Sequence, residues 1–332
     1  MLYQNHVVPF NDFWMNCVSN TLYSIASTLE PSYKSVACLN DYEYRKCLVE
    51  KDSNYAYLMI EHPLKYQNRV LSNVIDKREP YYFKDVNQFT EELEDMIKNG
   101  QYPVLNVDLY YWIPNSLAWK QYHWYHYSLI TGYDSDKSVY YVLDDDINGF
   151  REFEIPKERL EQAFLNSEYM LDPNYQEPPC YTLELKKEIA QCELSFLQVK
   201  GNAERIVQEI SELKIDDLWD IGTDVENFDA YITNGLMGIN IIESRQHGNR
   251  FLLKQLADLH HIDSDTFMQL DQQLTDMSIG WFQAKNVLIK AKFSSKRRFN
   301  RDQLIQISTR LLSEERQFWE QFIQKSKMIV MV

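Results

Sequence analysis

In the stretch Asn11-Asp12-Phe13-Trp14-Met15-Asn16-Cys17-Val18-Ser19-Asn20-Thr21-Leu22, a cysteine lies where a loop ends and a helix is predicted to begin. We expect Asn16 to be the N-cap of this helix, with Cys17 in its first turn. The free N–H groups and the dipole of a helix start favour a thiolate over a thiol, so the stretch predicts a nucleophilic cysteine. The apolar residues that follow are spaced four, three and four apart, as on one face of an amphipathic helix: Val18, Leu22, Ile25 and Leu29.

The length, composition and net charge of the chain argue against several classes of protein. Its 332 residues, 45% of them hydrophobic, are enough for a sizeable core and more than one typical domain. A formal net charge of −15 argues against general binding to nucleic acid or to an anionic membrane. The 5 cysteines have no paired spacing, so we expect a reducing cytoplasm rather than a disulfide framework. The N-terminus lacks a signal-peptide pattern, and no run is long enough to span a bilayer.

The pattern of the chain changes near a proline-rich segment, 172–179. Before it, strand and helix patterns mix; after it, nearly every apolar residue recurs with helical period, with breaks expected at Gly248-Asn249 and Asp263-Ser264. We therefore predict an α+β domain over 1–172 and an all-α helical domain, an antiparallel bundle, over 180–332. In the first domain we predict a helix near 89–97, a buried strand at 102–109, and a hairpin of strands 126–133 and 139–144.

A thiolate nucleophile needs a general base and a group that orients this base. His126 begins the first strand of the predicted hairpin, and Asp144 ends the returning strand. Because those two ends lie side by side in a hairpin, we expect the imidazole and the carboxylate to be within hydrogen-bonding reach. Asp145 is the alternative, and strand alternation allows only one of the two carboxylates to face the histidine.

Acyl transfer also needs donors for the oxyanion that develops in the tetrahedral intermediate. The backbone N–H of Cys17, at its helix start, is one candidate. The side-chain amide of Asn11, six positions earlier, is the second.

The chain resembles the papain-like cysteine-enzyme superfamily in four features: a cysteine that opens a helix, an amide side chain six residues before it, the run His126-Tyr127-Ser128-Leu129-Ile130-Thr131-Gly132-Tyr133-Asp134, and a strand that ends in Leu143-Asp144. Within this superfamily it is similar to the bacteriocin-leader peptidases and, more closely, to the N-terminal domain of the butirosin biosynthesis protein H family, in which a helical region also follows. The resemblance implies a papain-like domain in which Cys17, His126 and Asp144 are the catalytic triad. The peptidase relatives carry Gln where this chain has Asn11.

The same resemblance implies an acyltransferase of bacterial secondary-metabolite biosynthesis. Such an enzyme moves an acyl or aminoacyl group from the thioester of an acyl or peptidyl carrier protein to an amine-bearing small molecule, through an acyl-cysteine. It has no cofactor of its own, because the phosphopantetheine belongs to the donor protein. Two alternatives stay open: a cysteine hydrolase of the same fold (peptidase or thioesterase), and an inactive module that binds a carrier or a peptide.

Other motifs have less specific interpretations. His123 and His126 are three apart, which places them on opposite faces of a strand, so we predict no zinc site. Asp144-Asp145-Asp146-Ile147-Asn148-Gly149 starts like a calcium loop, but Ile155 stands where the bidentate Glu is required. The basic run 292–301 is either a solvated loop or a docking site for an acidic carrier. We expect the aromatic loop 110–125, with Trp112 and Trp119, to keep water from an acyl-enzyme together with the helical domain.

Overall fold

The computed structural model describes residues 1–48, 56–61, 70–116, 118–146, 149–215, 218–219, 228–294, 298 and 300–326. The strands are β1 (Leu2–Gln4), β2 (Glu43–Leu48), β3 (Ala56–Glu61), β4 (Ile75–Tyr81), β5 (Tyr102–Asp108), β6 (Tyr125–Asp134), β7 (Val139–Asp146), β8 (Gly149–Pro156) and β9 (Cys180–Leu185). The helices are α1 (Cys17–Leu29), α2 (Tyr33–Val36), α3 (Phe89–Lys98), α4 (Lys157–Leu165), α5 (Glu168–Leu171), α6 (Phe196–Glu212), α7 (Phe228–Asp258), α8 (Ser264–Lys292) and α9 (Arg301–Lys325). None of the helices in these ranges is both long and apolar enough to cross a membrane.

The chain divides into two compact units, Met1–Lys34 with Leu64–Cys192, and Ser35–Pro63 with Glu193–Val332. The first is α+β and holds a sheet in the order β4-β9-β5-β6-β7-β8, with β1 paired to β6 and all neighbours antiparallel. The second unit contains helices α6, α7, α8 and α9 together with the two-stranded sheet of β2 and β3. A mixed fold with a helical C-terminal region is therefore confirmed.

The borders of the units differ from the predicted split at 172–180. β9 lies beyond the proline-rich segment, yet it pairs with β4 and β5 inside the sheet of the first unit. Residues 35–63, from the first predicted domain, belong to the helical unit. Both differences arise from contacts between segments far apart in the chain, which local composition does not encode: strand pairing for β9, and packing against α6 and α7 for β2 and β3.

The predicted hairpin is confirmed as β6 and β7. Leu129 pairs with Leu143 and Ile130 with Val142, and the register shifts between Ile130 and Gly132. The predicted buried strand is confirmed as β5, which lies between β9 and β6. One face of these strands packs against α3 and α4, and the buried residues that form this core include Leu93, Ile97, Leu105, Val107, Ile130, Val142, Leu160 and Phe164.

The start of α1 follows the sequence prediction. Asn16 is the N-cap, and its side chain accepts a hydrogen bond from Ser19 N at 2.7 Å. Of the predicted apolar face, Leu22 and Ile25 are buried, whereas Leu29 is exposed because it is the last residue of the helix.

One of the two helix breaks predicted for the helical unit is absent from the structure. The break expected at Gly248-Asn249 is wrong, since both residues are buried within the continuous helix α7. The Asn249 side chain is satisfied there by Arg245 and Gln246 instead of capping a helix. The break at Asp263-Ser264 is confirmed, because Asp263 caps α8 and accepts from Thr266 N at 2.8 Å.

Candidate active site

The candidate site lies at the end of the sheet where β6 begins and β7 ends. His126 is the second residue of β6, and Asp144 is third from the end of β7. Continuing the Leu129–Leu143 register by one residue places Asp144 opposite Ser128, so His126 is its diagonal neighbour on the same face. His126 Nε2 and Asp144 Oδ2 are 2.9 Å apart. The structure thus brings these two predicted residues into hydrogen-bonding contact.

Cys17 interacts with the same imidazole. Burial by itself lowers the pKa of His126, but the Asp144 carboxylate and the nearby Cys17 outweigh it and hold this pKa well above its ordinary value. Because Nε2 is engaged with Asp144, Nδ1 is the ring nitrogen left for the Cys17 thiol. His126 is therefore suited to remain an imidazolium next to the Cys17 side chain.

Asp144 is held as a buried carboxylate, with its side chain only 1% exposed. Burial raises the pKa of Asp144, but the His126 charge and several hydrogen bonds bring it below its ordinary value. Trp112 Nε1 donates to Asp144 Oδ2 at 2.7 Å, and Asp145 N donates to Oδ1 at 2.9 Å. An ionised carboxylate with this many donors can fix the orientation of the imidazole.

The two carboxylates left open by the sequence occupy different environments. Asp144 contacts His126, whereas Asp145, the next residue along β7, is half-buried. Burial and the neighbouring Asp144 charge raise the pKa of Asp145 to about 7. Asp144 shares a strand face with His126 and forms the hydrogen bond with it. The Asp145 side chain bonds to Asp144 instead, although the His126 charge also acts on it.

Trp112 lies in the interior and contacts the candidate triad. The sequence suggested that it covers an acyl-enzyme, but its ring is fully buried and its indole binds Asp144. Trp119 is half-buried, with Lys120 and Arg159 lying over its ring. The only signal for Trp112 in the sequence was its place in an aromatic loop that leads into β6.

Asn20 organises the loop that leads to Cys17, and sequence reasoning missed it. Its Nδ2 donates to Phe10 O at 3.0 Å and to Phe13 O at 3.1 Å, and its Oδ1 accepts from Met15 N at 2.9 Å. The side chain is fully buried in the first turns of α1. The sequence offered only an asparagine in the first turns of a predicted helix, a position from which its side chain can bond backbone groups of the preceding loop.

Asn11, the candidate oxyanion donor, lies near the start of β8, at the same end of the sheet. Its side chain is exposed, and its Oδ1 accepts a hydrogen bond from Phe150 N, in β8, at 3.1 Å. The amide oxygen is thereby engaged, while the amide nitrogen keeps its donor capacity.

A second histidine–carboxylate pair lies beside the first. His123 Nδ1 is 2.6 Å from Asp108 Oδ2, at the end of β5, and its ring stacks on Tyr110 with the centroids 4.6 Å apart. The His123 side chain is 52% exposed, against 15% for His126. His123 and His126 therefore have different carboxylate partners. Within the described ranges, no group of three or more His, Cys, Asp or Glu side chains is arranged to hold a metal ion.

Two further sequence motifs fall partly on residues outside the described ranges. In the calcium-like run, Ile147 and Asn148 are not described, while Asp146 forms an ion pair with Arg151 and Ile155 is buried. In the basic run, Lys296 and Arg297 are not described, so its docking role stays a prediction.

A thiol at a helix start, an imidazole and a buried carboxylate together have the components of nucleophilic catalysis. No family model matches the chain, and it matches none of the curated proteins with which it was compared. What the arrangement can do chemically therefore follows from its geometry.

Proposed function

We propose that the protein is a cysteine-dependent acyltransferase with a papain-like catalytic domain. The observation that carries this proposal is the position of His126, which contacts the Asp144 carboxylate through Nε2 and interacts with Cys17. An imidazolium fixed between a carboxylate and a thiol at a helix start is the arrangement that generates a reactive thiolate.

In the first half-reaction, the Cys17 thiolate attacks the carbonyl carbon of an acyl thioester. The oxyanion that forms is stabilised by the Cys17 N–H and by Asn11 Nδ2. When the intermediate collapses, the donor thiol leaves with the proton that His126 held, and the acyl group stays on Cys17.

In the second half-reaction, an amine attacks the acyl-cysteine and neutral His126 takes the proton of the amine. The amide product leaves, and Cys17 returns to a thiolate beside the imidazolium. Asp144 stays ionised throughout and orients the ring.

The identity of the donor and acceptor is supported by the motif resemblance. It suggests a carrier-protein phosphopantetheine thioester as donor and an amine-bearing small molecule of bacterial secondary metabolism as acceptor. Phosphopantetheine then enters with the substrate rather than as a resident cofactor.

The experiment that tests this function is intact-mass analysis of the wild type and Cys17→Ala after incubation with a panel of acyl thioesters. We expect the acyl mass on the wild type alone, and its loss together with amide formation when amines are added. Release as the free acid, with no amide at any amine concentration, would contradict the transferase and favour a hydrolase. If no thioester labels the wild type and iodoacetamide also spares Cys17 at neutral pH, the protein is not a cysteine enzyme.

A further inference from the structure

The side chain of Asn11 packs against the first residues of β8. Gly149 has a φ of +113°, in a region that favours glycine. A Cβ at Gly149 would lie 2.6 Å from Asn11 Oδ1 and 3.1 Å from Asn11 Nδ2. The amide therefore occupies space that only a glycine leaves open, and the adjacent Phe150 N donates to its oxygen at 3.1 Å.

The backbone around Asn11 is anchored to the helix that carries Cys17. Asn20 Nδ2 donates to the carbonyl oxygens of Phe10 and Phe13, on either side of Asn11. Asn20 is three residues after Cys17, so it lies one turn further along the same helix. The position of Asn11 is thus tied to the turn that holds the nucleophile.

The contact with β8 ties the same amide to the strand that carries Asp144. Phe150 pairs with Asp145, the residue next to Asp144. Because Phe150 N–H occupies the amide oxygen, the planar amide directs its two Nδ2–H groups away from Phe150. A donor held between the Cys17 helix and the Asp144 strand has the pre-organisation that oxyanion stabilisation requires.

We propose that Gly149 and Phe150 N form a clamp that positions Asn11 Nδ2 as a donor to the oxyanion formed at Cys17. Gly149 and Phe150 are positioning residues, since they act through Asn11 and do not touch the reacting atoms. The proposal rests on the proposed acyl-transfer function and adds to it the device that orients the side-chain donor.

The central test compares Gly149→Ala with Gly100→Ala. Gly100 also has a positive φ, of 72°, but an added Cβ there meets nothing within 4 Å, so it controls for backbone strain alone. Two rates are measured for each variant: acyl-enzyme formation from a thioester, and alkylation of Cys17 by iodoacetamide, followed by peptide mass mapping. Alkylation requires the thiolate but passes through no oxyanion.

Removing one oxyanion donor costs roughly 10²–10³ in rate, so Gly149→Ala should slow acylation by about 10²-fold. It should keep the alkylation rate of the wild type, and Gly100→Ala should keep both rates. The double variant Gly149→Ala/Asn11→Ala should be no slower than Asn11→Ala, because both changes remove the same interaction.

Asn11→Asp gives a second test that does not depend on the folding of Gly149→Ala. It keeps an acceptor for Phe150 N but has no Nδ2 donor, so it should acylate as slowly as Asn11→Ala. The clamp is excluded if Gly149→Ala acylates at the rate of Gly100→Ala, if its alkylation falls in parallel with acylation, or if Asn11→Asp acylates normally. A wild type that forms no acyl-enzyme would instead exclude the proposed function itself.

Discussion

Trp112 and Asp144 form a buried hydrogen bond of 2.7 Å between the indole Nε1 and the carboxylate Oδ2. The same oxygen lies 2.9 Å from His126 Nε2, so one carboxylate oxygen accepts from both rings. Both Trp112 and Asp144 are almost fully buried, which strengthens such bonds and fixes their geometry. The side chains proposed to act together therefore include, besides Cys17, His126 and Asp144, an indole in the loop between β5 and β6.

Trp112→Phe should test this extension, because it keeps an aromatic ring and removes the donor. A hydrogen bond to a charged group contributes about 1.5–3 kcal/mol, so acylation should slow by about tenfold or more. Loss of a donor to the ionised form raises the pKa of Asp144, so the acid limb of the pH–rate profile should move to higher pH. Trp119→Phe is the control, and an unmoved limb in Trp112→Phe would show that the indole does not tune Asp144.

Asp144→Asn should lower the pKa of His126. Burial lowers this pKa and the Asp144 charge opposes it, so without that charge the effect of burial dominates. An NMR titration of the imidazole would measure the change, and we expect His126 to lose its proton at a lower pH than in the wild type.

Asp145→Asn provides the comparison, since it removes the adjacent carboxylate, which interacts with Asp144 and His126 but does not form the hydrogen bond between them. The pKa of His126 should then decrease less than in Asp144→Asn, because the hydrogen-bonded carboxylate remains. Equal decreases in the two variants would contradict the assignment of Asp144 as the orienting residue.

His126→Ala and His123→Ala should separate the two histidine–carboxylate pairs. We expect His126→Ala to abolish rapid alkylation of Cys17 at neutral pH, because the thiolate loses its imidazolium partner. His123 pairs with Asp108 instead, and its variant should be alkylated at the wild-type rate. Iodoacetamide labelling at Cys17, quantified by peptide mapping, measures both, and a comparable loss in the two variants would refute this separation.

Gly238→Ala should destabilise the helical unit. An added Cβ would lie 2.2 Å from Leu58 O, a backbone atom of β3 in the same unit, so helix α7 or the hairpin must move. Such overpacking costs roughly 1–3 kcal/mol.

Gly201→Ala, in helix α6, is the matched variant, because its Cβ meets nothing within 4 Å. There the higher helix propensity of alanine should stabilise the protein by roughly 0.5–1 kcal/mol. Unfolding followed by circular dichroism compares the two, and a Gly238→Ala variant as stable as Gly201→Ala would contradict the close approach.

Features that depend on local sequence could be predicted well. The cap at Asn16 and the hairpin of β6 and β7 arise from side-chain and turn chemistry within a few residues. The Gly248-Asn249 break was predicted incorrectly, and the borders of the compact units differ from the predicted split, because both depend on contacts between segments remote in the chain. β9 is placed by its partners in the sheet, and Asn249 is satisfied by side chains that pack in the interior of the helical unit.

The sequence by itself determined which residue types could form a nucleophilic site and brought Cys17, His126 and Asp144 forward as its members. Only the tertiary structure decided that Asp144 rather than Asp145 meets the histidine, and that Trp112, Asn20 and Gly149 support the residues around it. The physical reason is that a supporting contact depends on strand register, burial and distances of a few ångströms between segments remote in the chain. Residue type and spacing fix the chemistry that is available, and packing selects the partners that can use it.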